Sequence, residues 1–316
     1  MSGKARKIMN CKISILVIAC FFMVSLLYAC EEDQRTRTNT SKMKVVATIF
    51  PLYDFSREIG KDKVDIQLII PPGIETHGFE PKPGDIFRIQ EADILLYTGE
   101  NMEPWVQDII KSLRHDGPVI VNTGKAIASE DNHTHAHNAE SDPHIWLDLL
   151  NAQEMVQHIT DVFVARDPLH KEFYRDNAAV YTEKLHNLDL KFSKAFKACK
   201  KNMFIHGGHF AFGCFTRRYN LTYISAYRSY SPDTEPTPGD LIELVQTLRE
   251  NDIRYIFYEE LIAPKLAETI SRETGAGLLL LHGGHNVSKK EFDQGVSFIS
   301  LMEKNLQNLR KGLECL

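Results

Sequence analysis

The feature that most constrains the fold is an alternation of apolar strand patterns with helix patterns, which occurs in two runs. The first run contains the strand patterns KVVATI, VDIQLII, DILLYTG and PVIVNT, each separated from the next by a single predicted helix. The second run contains MFIH, LTYISA, RYIFYE and GLLLL, again separated by single predicted helices. Strands that alternate with single helices form parallel sheets covered by helices, so the sequence predicts two α/β lobes.

One long helical pattern lies between the two runs, over residues 168–200. Its apolar residues recur every three or four positions: Phe173, Tyr181, Leu185, Leu188, Phe192 and Phe196. A helix of roughly 30 residues is about 45 Å long, which exceeds the size of one small lobe. The predicted fold class is therefore α/β, with two parallel-sheet lobes joined by one long backbone helix. The predicted boundaries are 44–167 for the N-terminal lobe, 168–200 for the linking helix and 201–316 for the C-terminal lobe.

Residues 1–30 have the pattern of a secretory signal, because four basic residues precede an apolar run that is too short for a typical membrane span. The run ends in Leu-Tyr-Ala-Cys, which resembles the lipobox of bacterial lipoproteins and implies cleavage before Cys30 and acylation of its thiol, for example by palmitate. Residues 31–43 are hydrophilic and read as a flexible tether. We expect an extracytoplasmic protein that is lipid-anchored to the cell membrane, at the cell surface or in a periplasm.

The net charge of the chain after removal of the signal limits the kinds of molecule that it can bind. The signal removes four basic and no acidic residues, which leaves 33 basic against 42 acidic side chains, a net charge of −9. A cation site tolerates such a field, whereas a nucleic-acid groove needs a basic stripe that the sequence lacks. We therefore expect a membrane anchor but no nucleic-acid partner.

Three cysteines remain after the signal and the lipidation site: Cys199, Cys214 and Cys315. Such a low and odd count excludes a disulfide scaffold. Cys199 and Cys214 are the pair nearest in sequence, but the sequence does not decide whether they form a disulfide.

Histidines are concentrated in NHTHAHNAESDPHIWLD, residues 132–148. His133, His135 and His137 alternate among polar residues, which is typical of a metal-collecting loop. His144, in contrast, follows a proline and precedes the apolar Ile-Trp-Leu, an environment that can fix one imidazole in a chosen direction. By itself a buried histidine is more often a core residue than a ligand, so this prediction depends on the other histidines.

Histidines also follow several predicted strands, where open parallel sheets bind their ligands. His77 follows VDIQLII, His144 lies in the loop after PVIVNT, His209 follows MFIH and His285 follows GLLLL. The predicted fold places two of them on each lobe, so we expect a metal cleft between the lobes. Four imidazoles suit a borderline-soft divalent ion such as Zn²⁺ in tetrahedral geometry.

Two of these histidines have a rival in an HGGH sequence, His206 for His209 and His282 for His285. The second histidine of each pair is nearer the predicted helix start and is the favoured ligand. Carboxylates are the other candidates: Glu259, Asp233 and Glu235.

Several spaced motifs resemble those of a known family. PPGxxxHxxEPxPxD around His77, DPHIWLD around His144, GHFAFGCFTRRYNL around His209, EPTP and SFISLMEKNLQNL look like the metal-binding solute-binding lipoproteins of ABC importers, most of all the zinc-specific (cluster A-I, ZnuA-like) branch. The resemblance implies ligands at His77, His144 and His209. At the fourth position, where members have a carboxylate or water, this chain offers His285, so that ligand stays open among His285, His282, Glu259 and water.

The resemblance also implies the function, which is capture of extracellular Zn²⁺ for delivery to an ABC permease and its ATPase subunit. Zn²⁺ is then the transported ligand, and the protein is not an enzyme. A manganese- or iron-binding member of the same family is an alternative, although a histidine at the third position favours zinc. A secreted zinc hydrolase and an adhesin with a structural metal are further alternatives. The hydrolase motif H-E-x-x-H is absent.

Overall fold

The computed structural model describes residues 42–128, 142–227, 229–230 and 236–316. Several predictions lie outside these residues: the signal, the lipidated Cys30, the tether up to residue 41, the loop histidines His133, His135 and His137, and the carboxylates Asp233 and Glu235.

The described residues contain eight strands. They are β1 Met43–Ala47, β2 Val64–Leu68, β3 Ile94–Tyr97, β4 Val119–Asn122, β5 Met203–His206, β6 Thr222–Ser225, β7 Tyr255–Tyr258 and β8 Gly277–Leu280. They form two four-stranded sheets with the orders β2-β1-β3-β4 and β6-β5-β7-β8, and every pairing is parallel. The two lobes therefore repeat one topology, and the predicted α/β fold class is confirmed.

The helices cover the sheets and connect the strands. They are α1 Phe50–Gly60, α2 Pro83–Gln90, α3 Trp105–Ser112, α4 Lys125–Ala128, α5 Leu149–Arg166, α6 Lys171–Phe196, α7 Gly213–Tyr219, α8 Pro238–Glu250, α9 Lys265–Thr274, α10 Lys289–Asp293 and α11 Phe298–Gly312. Within the described part of the chain, no helix is both long enough and apolar enough to cross a membrane.

The long helix α6 joins the lobes, as the sequence predicts. It spans 26 residues and follows a 3₁₀ turn over Pro168–His170. One hydrophobic cluster runs from the N-terminal sheet past Phe192 of α6 to Phe204 and Phe257 of the C-terminal sheet. Because the lobes share this core, they are packed against one helix rather than connected by a loose linker.

The helices differ from the sequence-based assignment at four places, one of which is the short helix α4, which was not predicted. The helix α5 was not predicted, although Asp148 caps its first turn by accepting a hydrogen bond from the Leu150 amide. The sequence predicts a helix from His209 to Tyr219, whereas α7 begins at Gly213. It also predicts one last helix from Lys290 to Leu313, whereas the structure has two, α10 and α11, each with its own capping box at Ser288 and Ser297. A new N-cap starts a new helix, which explains the break.

A disulfide joins Cys199, just after α6, to Cys315 near the end of the chain. Cys214 is a buried free thiol in α7. The structure therefore does not contain the Cys199–Cys214 disulfide, which the sequence left open. The disulfide ties the end of the long helix to the end of α11 and closes a loop of 116 residues. Nearness in sequence did not predict the disulfide partner of Cys199, because the C-terminal end of the chain returns to the end of α6.

Reduction of this disulfide should lower the free energy of unfolding by about 5 kcal/mol, since a closed loop of that length restricts the unfolded chain. Urea unfolding of the metal-free protein with and without reductant measures the difference. Cys315→Ser should match the reduced protein and be insensitive to reductant. An identical urea midpoint for the oxidised and reduced wild type would contradict this role.

Candidate metal centre

Three imidazoles from separate loops converge on one point. The Nε2 atom of His144 lies 3.3 Å from Nε2 of His77 and 3.2 Å from Nε2 of His209. One nitrogen from each of the three rings belongs to a group whose members all lie within 4.8 Å of one another. His144 and His209 are buried and His77 is half-buried, so the His77 side is the more accessible one. The structure thus brings together three of the four predicted ligands.

The ring of His285 lies beside this triad. Its centroid is 6.1 Å from that of His77, 6.2 Å from that of His144 and 5.8 Å from that of His209. The side chain is 2% exposed, and its Nδ1 atom is buried without a hydrogen-bond partner. His285 is therefore the fourth histidine at the centre, although its nitrogens lie outside the 4.8 Å group.

His144 is oriented by Asp142. The backbone N–H and the Nδ1 atom of His144 each lie 3.0 Å from Oδ1 of Asp142, and the other carboxylate oxygen accepts a hydrogen bond from the Cys214 amide of α7. Burial raises the pKa of Asp142, but its hydrogen bonds with His144 outweigh burial and lower it. An ionised carboxylate can only accept, so Nδ1 of His144 carries the proton and Nε2 is left as an electron-pair donor.

His209 is oriented in the same way by Glu259, which follows the adjacent strand β7. Its Nδ1 atom hydrogen-bonds Oε2 of Glu259. Burial alone would lower the pKa of His209, but the hydrogen bond with Glu259 reverses the direction and raises it. Glu259 was a candidate ligand in the sequence, whereas here its carboxylate faces the back of the His209 ring.

The next residue, Glu260, serves the loop of His285. It accepts hydrogen bonds from the Gly283 and Gly284 amides at 2.8 and 3.2 Å, and Oε1 lies 3.1 Å from Nδ1 of His282. Burial opposes its charge, yet the nearby His282 and His285 lower the pKa of Glu260 overall. Asp142 and Glu260 were not singled out from the sequence. The signal was available, since each is close in sequence to a candidate ligand.

The glycines of the two HGGH sequences leave room for these contacts. A Cβ atom at Gly208 would lie 2.4 Å from Oε1 of Glu259, and one at Gly283 would lie 2.9 Å from Nδ1 of His285. Both distances are shorter than side chains tolerate, so any other residue at these positions would displace a carboxylate or an imidazole of the centre.

The first histidine of each HGGH sequence is directed elsewhere. His206 packs against the ring of Phe212 at 5.2 Å, and its Nδ1 atom accepts a hydrogen bond from the Gly208 amide. Nδ1 of His282 accepts from the Gly284 amide. Nε2 is buried without a partner in both rings, and neither histidine belongs to the group of converging nitrogens.

The centre favours neutral imidazoles at most positions. Burial lowers the pKa of His77 and of His144, and it lowers the pKa of His285 to about 4. The pKa of His209 is instead raised, because its ring is hydrogen-bonded to Glu259. Neutral imidazole nitrogens that face one point, inside a two-lobed α/β fold, define a metal-binding protein.

Comparison with known proteins identifies the family. Residues 45–312 match the family model described as ZnuA, zinc-uptake complex component A, periplasmic. The chain is 35% identical to the high-affinity zinc uptake system protein ZnuA of Bacillus subtilis, over 94% of this chain and 96% of that protein. It is 32% identical to the zinc-binding lipoprotein AdcA of Streptococcus pneumoniae over 95% of this chain, but it spans only 60% of that protein.

A solved structure shows the same fold. The Zn(II)-bound ZnuA-like domain of Streptococcus pneumoniae AdcA superimposes with a TM-score of 0.75 at 32% identity, and the match covers 87% of this chain and all of that domain. The chain belongs to the ZnuA family, and the resemblance seen in its motifs is confirmed.

In the metal-free protein, His209 should titrate above the ordinary range of histidine because the anionic Glu259 stabilises its protonated form. Glu259→Gln removes that charge, so burial then dominates and the pKa of His209 should fall below its ordinary value. An NMR titration of the His209 Cε1–H signal measures both. Glu303→Gln is the control, because it changes a partly exposed carboxylate on α11. It should leave the pKa of His209 unchanged. A pKa of His209 that is the same in the wild type and in Glu259→Gln would contradict the assignment.

Proposed function

We propose that this protein is the extracytoplasmic zinc-binding component of an ABC importer, which captures Zn²⁺ with high affinity and delivers it to the membrane permease. The observation that carries the proposal is the separation of the Nε2 atoms, 3.2 and 3.3 Å around His144. Ligands at the usual Zn–N distance of 2.0–2.1 Å in tetrahedral geometry lie about 3.3 Å from one another. His77, His144 and His209 are therefore the proposed ligands.

The choice of zinc rests on the donor atoms. Hard cations such as Mn²⁺ prefer carboxylate oxygens, whereas imidazoles suit zinc. The buried carboxylates Asp142 and Glu259 face the Nδ1 side of the rings, so they orient the ligands rather than compete with them. The names of the relatives, a zinc uptake protein and a zinc-binding lipoprotein, support the same choice.

We propose that His285 completes the shell. Its ring lies within about 6 Å of all three others, and its Nδ1 atom has no hydrogen-bond partner. His282 is less suited, because its ring makes none of the contacts with His77, His144 and His209 that the His285 ring makes. Water remains the alternative for the fourth position.

A transport role is favoured over hydrolysis. A zinc hydrolase needs a general base next to the metal-bound water. Glu259 is hydrogen-bonded to His209, and Glu80, three residues after His77, is exposed, so neither is placed as that base. Membership in a family of uptake components supports a binding protein rather than an enzyme.

The partners follow from this role. We propose a permease with its ATPase subunit as the recipient, and a lipid on Cys30 as the anchor that keeps the protein at the membrane. The His133, His135 and His137 segment is the proposed collecting loop, which raises the local zinc concentration and is dispensable for the tight site.

The metal-free protein should bind one Zn²⁺ tightly in the crevice, and zinc at about a thousand times the dissociation constant should add about 4 kcal/mol of stability. Differential scanning calorimetry and competition with a chelator measure both effects. His144→Ala and His209→Ala should weaken binding at least a hundredfold, whereas His186→Ala, on the exposed face of α6, should not. The absence of a zinc-dependent thermal shift in the wild type would refute the proposal, and hydrolytic turnover that His209→Ala abolishes would replace it.

His285→Ala should weaken zinc binding at least tenfold, because it removes the fourth imidazole. His282→Ala should have a smaller effect on affinity, because its ring is not in contact with the rings of His77, His144 and His209. Chelator competition on both variants makes the comparison. A larger loss of affinity in His282→Ala would show that the fourth ligand is assigned to the wrong histidine.

A further inference from the structure

The segment that carries His285 follows the last strand of the C-terminal sheet, yet its backbone is bonded to the N-terminal lobe. The Phe50 amide, at the start of α1, donates to the carbonyl of His285 at 3.0 Å. The Gly73 amide, in the loop after β2, donates to the carbonyl of Val287 at 2.7 Å. We call residues 285–287 the crossing segment.

The middle residue of the crossing segment makes the strongest connection. Asn286 is 1% exposed, and its Nδ2 atom donates to the carbonyls of Pro71 and Ile74, both at 2.8 Å. Pro71 and Ile74 lie in the same loop that carries His77. The side chain of Asn286 therefore links the segment of one imidazole directly to the loop of another.

The backbone hydrogen bonds to the C-terminal lobe end just before the crossing segment, and within the segment Nδ1 of the His285 ring lies 3.8 Å from Oε1 of Glu260. Glu260 accepts from the Gly283 and Gly284 amides, and the carbonyl of Gly283 already accepts from Nε1 of Trp146, 2.8 Å away in the N-terminal lobe. Gly284 has a φ of +74°, a conformation that glycine adopts without strain. The change of lobe occurs at this glycine pair.

Immediately after the crossing segment, the chain stays on the N-terminal lobe as far as the start of α11. The later part of α11 returns to the C-terminal lobe, where Nδ2 of Asn308 donates to the Leu280 carbonyl at 2.8 Å. The ring of Phe292 lies 5.2 Å from that of Tyr53, and the Phe298 amide donates to Oδ2 of Asp54 at 2.8 Å. Asp54 also accepts a hydrogen bond from the hydroxyl of Tyr181 on α6. The crossing segment is thus held at both ends.

We propose that Asn286 is a positioning residue that fixes His285 to the N-terminal lobe, so that the centre is built as three imidazoles on one lobe against one on the other. This corrects the expectation from sequence order, which placed two ligands on each lobe. His77, His144 and His285 then move together, and His209 alone moves with the C-terminal sheet. The inference rests on the proposed zinc site and specifies how a change in lobe separation would release the ion, by loss of a single ligand.

The test compares two substitutions of buried asparagines. Asn286→Asp keeps the shape but replaces the donor with a carboxylate oxygen that faces two carbonyls. Asn305→Asp is the matched control, since Asn305 is 2% exposed and pairs with the backbone N–H and carbonyl of His282 within the C-terminal lobe. For each full-length variant we would measure zinc affinity by chelator competition, the visible spectrum with Co²⁺ in place of zinc, and the thermal midpoint of the metal-free protein.

Asn286→Asp should weaken zinc binding at least tenfold and give a Co²⁺ spectrum like that of His285→Ala. Asn305→Asp should lower the thermal midpoint but keep the wild-type spectrum and an affinity within twofold. The proposal is overturned if Asn286→Asp keeps the wild-type spectrum and affinity, or if Asn305→Asp changes them equally. A wild type that binds no zinc would instead refute the proposed function.

Amide hydrogen exchange of the metal-free wild type tests the docking without a variant. The Phe50 and Gly73 amides should exchange slowly in the absence of metal, because their acceptors in the crossing segment belong to the same lobe. Exchange of both amides at the rate of exposed loop amides would overturn the assignment of His285 to the N-terminal lobe, whatever the zinc affinity.

Discussion

The centre depends on the pairing of buried imidazoles with buried carboxylates. Asp142 and Glu259 hold the Nδ1 atoms of His144 and His209, which fixes the tautomer of each ring and leaves Nε2 free to bind a cation. The same carboxylates supply negative charge where a divalent ion would otherwise be buried without compensation. Without these pairs, two rings in an apolar interior would have no fixed direction, and the nitrogens would not meet at the separation that a tetrahedral ion requires.

The repeated topology of the two sheets positions Glu259. In each sheet the chain order reverses between the first and third strands of the lobe, and ligands of open α/β sheets bind at such a point. In the C-terminal lobe this point lies between β5 and β7. It is occupied by His209, which follows β5, and by Glu259, which follows β7. In the N-terminal lobe the equivalent point is filled by Glu103, which accepts hydrogen bonds from Thr48 and from the Thr98 and Gly99 amides and whose pKa burial raises to about 7. The N-terminal ligands come instead from the loops after the flanking strands β2 and β4.

Much of this could be predicted from the sequence. The alternation of patterns predicts both sheets and the long helix, because strand and helix periodicities are local. The position of histidines after strands predicts His77, His144 and His209 at one place. The features that the sequence does not predict depend on contacts between distant residues: the disulfide of Cys199 with Cys315, the hydrogen bond of Glu259 with His209, and the return of residues 285–287 to the N-terminal lobe. Helix α5 was not predicted because Asp148 is the single cap at its start, without the proline and capping box that mark the starts of α2 and α8.

Imidazole nitrogens from both lobes should therefore bind one Zn²⁺. X-ray absorption at the zinc K edge of the loaded protein tests it most directly. The predicted result is a first shell of nitrogen atoms at about 2.0 Å, with the outer-shell scattering of at least three imidazoles. A sulfur shell at about 2.3 Å, or a shell of oxygens with fewer than three imidazoles, would contradict it.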